Sequence, residues 1–167
     1  LDSPTRGDWV GWVGRYDGTS WKFMNTGISG CCRGVYGSSK DNVFFGADGK
    51  VVHYDGAKFT SEPVAATVYN LWGSGRDDIW LVGSSGVTYH YNGTAWQKVA
   101  TAAEEFLYGV SGTDRAHVWA VGAEGTILRW DGTQWTTLRE GAHNESQALW
   151  VAGAKDAGDQ GEGDDQV

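Results

Sequence analysis

The segment Tyr91-Asn92-Gly93-Thr94-Ala95-Trp96 decides the fold, because the chain writes it four times. The other copies are Tyr16-Asp17-Gly18-Thr19-Ser20-Trp21, Tyr54-Asp55-Gly56-Ala57-Lys58-Phe59 and Trp130-Asp131-Gly132-Thr133-Gln134-Trp135. Their leading aromatics stand 38, 37 and 39 residues apart (54−16, 91−54, 130−91). A period near about 40 residues belongs to repeat architectures. Asp-Gly and Asn-Gly favour positive-φ turns that match the twist of a hairpin, so each cassette reads as a turn between two strands.

Outward from the cassettes the same order recurs. A Gly-x-x-Gly turn precedes three of them, at 46–49, 83–86 and 122–125. Strand-like runs fall at 34–37, 43–46, 50–54 and 58–61, then 70–73, 79–83, 87–91 and 95–99, then 106–110, 117–122, 126–130 and 134–138. Four antiparallel strands per unit, with units side by side, is the pattern of a β-propeller blade. The expected fold is therefore an all-β propeller of about four blade units, or an arc of a larger propeller. The blades occupy 1–153: a partial blade at 11–23, blades at 34–61, 70–99 and 106–138, and a closing strand at 148–152. An acidic Gly/Asp-rich tail follows at 154–167. The partial blade lacks inner strands and the closing strand lacks outer ones. They are expected to pair, within one molecule or with another chain that completes the propeller.

Tyr36, Trp72, Tyr108 and Trp150 are read as equivalent rings on the first strand, and Phe44, Trp80 and Trp119 on the second. One blade cannot bury such rings alone, so they read as mortar between blades rather than as a ligand cage.

Composition narrows the partners. The chain has 167 residues, 10 tryptophans, 26 glycines and a formal charge of −8. So many aromatics do not suit disorder, and the negative charge argues against nucleic acid. No apolar run reaches the roughly 20 residues that span a bilayer. The chain opens on Leu1, as a processed or excised product would. Cys31 and Cys32, the only cysteines, are adjacent. They read either as two small buried or half-buried side chains or as a vicinal disulfide of an oxidising compartment.

The run Leu71-Trp72-Gly73-Ser74, Asp78-Ile79-Trp80-Leu81-Val82-Gly83, Gly86, His90-Tyr91-Asn92-Gly93 and Trp96 resembles a family of bacterial secreted propeller repeats, similar in style to Asp-box (sialidase-like) proteins. The Asp and Gly of a true Asp-box are separated by one residue; here Asp17-Gly18, Asp55-Gly56 and Asp131-Gly132 are contiguous. The resemblance implies a structural role for these turns and an extracellular or cell-surface location.

No constellation for catalysis stands out. A sialidase-like site would need clustered arginines, and Arg33, Arg76 and Arg115 read as turn residues at non-equivalent places. Glu104-Glu105 is a conspicuous acidic pair outside the tail, where glycoside hydrolysis would need two carboxylates facing across a cleft, and neighbours in a loop point apart more often than they converge. His53 and His90 share a cassette position with Arg15 and Arg129, which argues against a metal site. Asp156, Asp159, Glu162 and Asp164 offer the oxygens that calcium takes, without the spacing of an EF-hand. A solvated tail is the first reading there, and no cofactor is expected.

Binding is therefore the expected task, with a protein or glycan as ligand. The links between blades at 24–33, 62–69, 100–105 and 139–147 vary, and variable loops on a rigid scaffold carry recognition. With the Gly-x-x-Gly turns they offer Asn25, Asp48, Tyr69, Ser84, Ser85, Glu104, Glu105, Glu124, His143 and Asn144 as candidate binding residues. The alternatives are a fragment of a sialidase-like glycosidase or lyase, and an assembly subunit that completes a partner's ring.

Overall fold

The structure, a computed structural model, describes residues 10–139. The 148–152 segment, His143, Asn144 and the acidic tail lie outside the described residues. The elements are β1 (Val10–Tyr16), β2 (Trp21–Ser29), β3 (Cys31–Ser39), β4 (Asn42–Tyr54), β5 (Phe59–Gly75) and β6 (Asp78–Gly83). They continue with β7 (Thr88–Tyr91), β8 (Trp96–Val99), β9 (Leu107–Asp114), β10 (His117–Gly122), β11 (Ile127–Trp130) and β12 (Trp135–Arg139). A single 3-10 turn, Ala123–Gly125, joins β10 to β11.

All pairings are antiparallel, in sheets ordered β1-β2, β3-β4-β5-β6-β7-β8 and β12-β11-β10-β9. The long strands hide the blade pattern. Asn42 and His53 sit near opposite ends of β4, yet Asn42 Oδ1 lies 3.0 Å from His53 Nε2. Eleven residues of straight strand would span about 36 Å. β4 therefore folds back on itself near Gly49, whose φ is +69°. It supplies two strands of one blade. β5 is shared in turn: residues 59–67 pair with β4, and residues 68–75 pair with β6. The result is a two-stranded unit followed by three blades of four strands.

Two links differ from the sequence reading. The 62–69 segment is not a loop but extended chain within β5. Val64, Ala66 and Val68 alternate into the core while Pro63 and Ala65 face out, and that period of two is what a strand requires. The 24–33 segment is likewise extended on both sides of a turn at Gly30, so Asn25 and Tyr69 stand on strands.

The cassettes are turns, built alike. Asp55 Oδ1 accepts the backbone N–H of Ala57 and of Lys58, both at 2.9 Å. Tyr54 donates its hydroxyl to the Gly56 carbonyl at 2.7 Å, and Gly56 takes φ +96°, which only glycine adopts freely. Asp17, Asn92 and Asp131 repeat the carboxylate or amide clasp. Hydrogen bonds favour the charged form. The Thr133 hydroxyl first, then the Gln134 and Thr133 N–H groups, hold the Asp131 carboxyl down at about 2.

Two cores lie between blades. Phe44, Val51, Val68, Leu71, Ile79 and Leu81 fill the first, with Tyr91 and Trp96 packed against them. Trp80, Val82, Leu107, Val118 and Leu128 fill the second, with Trp135 and Trp130. The packing rule repeats. Phe44 meets Tyr91 and Trp96 of the next blade at 5.2 and 5.7 Å. Trp80 meets Trp130 and Trp135 of the next at 4.7 and 5.2 Å.

A second rule governs the inner strands. A Cβ on Gly73 would meet the Tyr36 ring at 2.7 Å, and one on Gly112 the Trp72 ring at 2.7 Å. Each first-strand ring thus lies on a glycine of the following blade. Tyr36 and Trp72 each stand one residue before such a glycine, and in the third blade that place belongs to Ser111. Tyr108 is not their equivalent: it stands three residues earlier, so alternation along a strand turns it to the other side. Trp119 departs from the mortar reading too, since among the described residues the groups on its ring, His117 and Arg129, belong to its own blade.

Candidate functional site

The Gly-x-x-Gly turns and the starts of the inner strands lie at one end of the blades, because strands alternate in direction. Backbone bonds tie them into a rim. Asp48 N–H donates to the Gly30 carbonyl, Ser84 N–H to Thr67, Gly86 N–H to Glu105 and Ala123 N–H to Phe106, at 2.7–3.2 Å. Ser84 Oγ accepts the Thr67 N–H in return. At the shared turn position stand Asp48, Ser85 and Glu124, all exposed. Ser85 and Glu124 hold φ of +55° and +53°. Left-handed backbone costs a non-glycine residue about 1–2 kcal/mol, and such strain gathers at functional places.

A row of side chains crosses this rim. Arg33 of β3, Tyr69 of β5 and Tyr108 of β9 each stand four residues before the inner-strand glycine of their blade, Gly37, Gly73 and Gly112. The Arg33 guanidinium lies over the Tyr69 ring at 5.5 Å and pairs with Asp48 at 3.3 Å. Tyr69 meets Tyr108 at 5.3 Å and Phe106 edge-on at 6.2 Å. Phe106 is 43% exposed. The row is thus aromatic along its length, with one cation at one end and Asp48, Glu105 and Glu124 along it. Repeat register was the signal that would have found Arg33 and Tyr108. Phe106 carried no such signal.

The remaining candidates fall apart from one another. Asn25 is spent on its own chain, accepting the Gly27 N–H at 2.8 Å. It borders a groove of about 600 Å³ between β2 and the Tyr54–Phe59 turn, with Lys22 and Lys58. Glu104 and Glu105 are exposed neighbours in the loop before β9.

The arginines also settle differently from the sequence reading. Arg33 lies in a strand. Arg76 and Arg115 occupy the same turn of successive blades, and Arg115 pairs with Asp77 of the blade before it. That turn lies at the end opposite the rim.

One cluster went unread in the sequence. Ser74 donates its hydroxyl to Asp78, and His90 Nε2 lies 2.7 Å from the other oxygen of the same carboxylate. Burial alone would raise the Asp78 carboxyl, but the hydrogen bonds from His90 and Ser74 outweigh it and hold it below the usual value. The order is wrong for a nucleophile, which needs the histidine on the hydroxyl. The first full blade repeats the cluster as Ser38, Asn42 and His53, with His53 stacked on Phe44 at 4.2 Å. His90 stacks likewise on Trp80 at 4.5 Å. The cluster braces a hairpin, and burial lowers the His53 pKa, favouring its neutral ring. Among the described residues no three potential metal ligands gather, and no helix is long and apolar enough to cross a membrane.

No family model matches the chain, and no curated protein matches it. Solved structures do. The computationally designed protein Ika4 is 23% identical over 69% of this chain and 76% of its own, with a TM-score of 0.57. The designed protein Ika8 is 22% identical over 87% of this chain and 51% of its own, with a TM-score of 0.61. YCF48, in a structure described as bound to a D1 peptide, is 16% identical over 82% of this chain and 51% of its own, with a TM-score of 0.58. The fold is a β-propeller. At these identities the likeness speaks to fold alone. The chain spans about half the length of Ika8 and of YCF48.

Proposed function

We propose that this chain is a non-enzymatic, extracellular protein-binding module whose rim takes an extended segment carrying basic side chains. The Arg33–Tyr69–Tyr108 row carries the reading. Three blades present their equivalent rim position to one continuous surface, half exposed and set on rigid strands. Aromatic rings with a polar tip supply contact area at low entropic cost. Asp48, Glu105 and Glu124 border the row, and the whole chain carries −8, so a cationic partner is drawn in and an acidic one repelled. The D1 peptide in the YCF48 structure supports the reading by showing a peptide held by a protein of this fold. Cys32 is disulfide-bonded, which supports an oxidising location. A glycan fits less well: Tyr69 and Tyr108 are tilted by 59°, not laid flat as a platform for a sugar face.

Selection from a random-peptide library on the immobilised chain tests this. Selected peptides are expected to be rich in Lys and Arg. Their affinity should fall at least tenfold on Tyr69→Ala and Tyr108→Ala, and fall as salt screens the charges. Asp55→Asn, at the far end of the blades, should leave it unchanged. Peptides of neutral composition, or affinity indifferent to Tyr69, would overturn the reading, as would a glycan array that lights up where peptides do not.

A further inference from the structure

The two ends of the arc carry the halves of one more inter-blade joint. The β1–β2 unit repeats the outer two strands of a blade, cassette included. Its Tyr16 and Trp21 rings lie 5.4 Å apart at 39°. Tyr91 and Trp96, which cover Phe44 within the chain, lie 5.2 Å apart at the same 39°. Yet Tyr16 is 54% exposed, Trp21 63% and Phe23 68%. The cross-strand pairs Tyr16–Trp21 and Gly14–Phe23 put these rings on one face. Gly14 makes room for them: a Cβ there would meet Phe23 at 3.2 Å and Trp21 at 3.3 Å. Val13, on the opposite face, is buried. An exposed aromatic patch rimmed by polar groups marks an interaction surface.

The third blade offers the matching socket. Trp119 stands where Phe44 and Trp80 stand, but no cassette of a following blade covers it among the described residues. Among the described residues His117 and Arg129, both of its own blade, attend its ring at 6.4 and 5.9 Å. The rest of that face presents nothing that calls for more than β1–β2 offers. A ring in the place of Tyr36 and Trp72 would lie on the inner strand of a next blade; the place holds Ser111, and among the described residues β1–β2 pairs with no inner strand. The acid in the place of Asp77, which pairs with an arginine of the next inner turn, would be idle; Ala116 stands there. Of these three places, the one that holds a ring is the one that a cassette covers.

We propose that the Tyr16–Trp21 face of one chain docks on the Trp119 face of a second copy, head to tail. Among the described residues no ring contact joins the two faces within one chain, and β1 packs beside β3. Such a joint is heterologous: two copies form a closed ring if the rotation closes, and a longer row of copies forms if it does not. The surfaces concerned are the ends of the arc, so this proposal stands or falls apart from the rim.

The test is light scattering on the full chain after size exclusion, across the micromolar range, with Trp21→Lys, Trp119→Lys and their equimolar mixture. The parent is expected at twice the 18.0 kDa chain mass or above. Each variant alone should run as a monomer. The mixture should recover a heterodimer, because Trp119 of one variant still meets Trp21 of the other. A parent that stays monomeric overturns the proposal, and so does association that persists in both variants. Trp21 is exposed, so its replacement tests docking rather than folding. If Trp119→Lys melts early, Arg129→Glu takes its place in the mixing experiment, with the same outcomes.

Discussion

At the scale of single residues, charge and burial set separable effects. The Asp131 carboxyl is held at about 2 against an ordinary 3.8. A lowered folded-state value stabilises the native state above the unfolded value, and that contribution fades as pH falls through the folded one. Asp131→Asn should keep the clasp, because Asn92 makes the same turn at 3.0 and 3.1 Å. The expected result is a melting temperature like the parent's at pH 6 and a smaller fall between pH 4 and pH 2. Asp131→Ala should melt lower than both at pH 6. Rings behave by burial. Trp80 is 1% exposed, so Trp80→Ala should cost roughly 3–5 kcal/mol. Trp119→Ala should cost visibly less under dilute conditions, where its socket is open. Equal losses in chemical denaturation would show that Trp119 is already covered.

At the scale of the blade, spacing matters more than hydrophobicity. Gly112 lets the Trp72 ring of the preceding blade lie against its backbone, and a Cβ would also meet the His117 carbonyl at 2.6 Å. Gly112→Ala must therefore push the blades apart and should cost roughly 1–3 kcal/mol, as overpacking does. Gly18 has nothing within 4 Å of its Cβ position, so Gly18→Ala should show only the backbone strain of φ +99°, about 1–2 kcal/mol. Urea unfolding of the pair separates the two causes. The cassettes were legible in the sequence because their chemistry is local: an Asp or Asn, a glycine and two rings within six residues. The rim row was not, because its members are about 36–39 residues apart and one of them is an arginine. Only the inner-strand glycines give the register that aligns them. The brace of Ser74, Asp78 and His90 hid for the same reason, its members being united by strand pairing rather than by spacing.

At the scale of the molecule, the blades hold together through their buried rings more than through surface charge. The Arg115–Asp77 pair links two blades, but its side chains are 62% and 56% exposed, and such pairs contribute at most about 1 kcal/mol. The inter-blade cores do the rest. An arc whose two ends complement each other then has a stability that depends on its own concentration, since association binds only the folded state. A hundredfold rise in concentration adds about 2.7 kcal/mol per joined pair of chains. Shared between two chains of this size, that raises the melting temperature by about 3–5 °C. Scanning calorimetry from 1 to 100 μM should show the rise in the parent, and Trp21→Lys should melt at one temperature throughout. Trp21 lies far from both buried cores, so a flat profile in that variant would come from the lost joint and not from a weakened blade. A flat profile in the parent would mean that the third blade keeps its open face in solution.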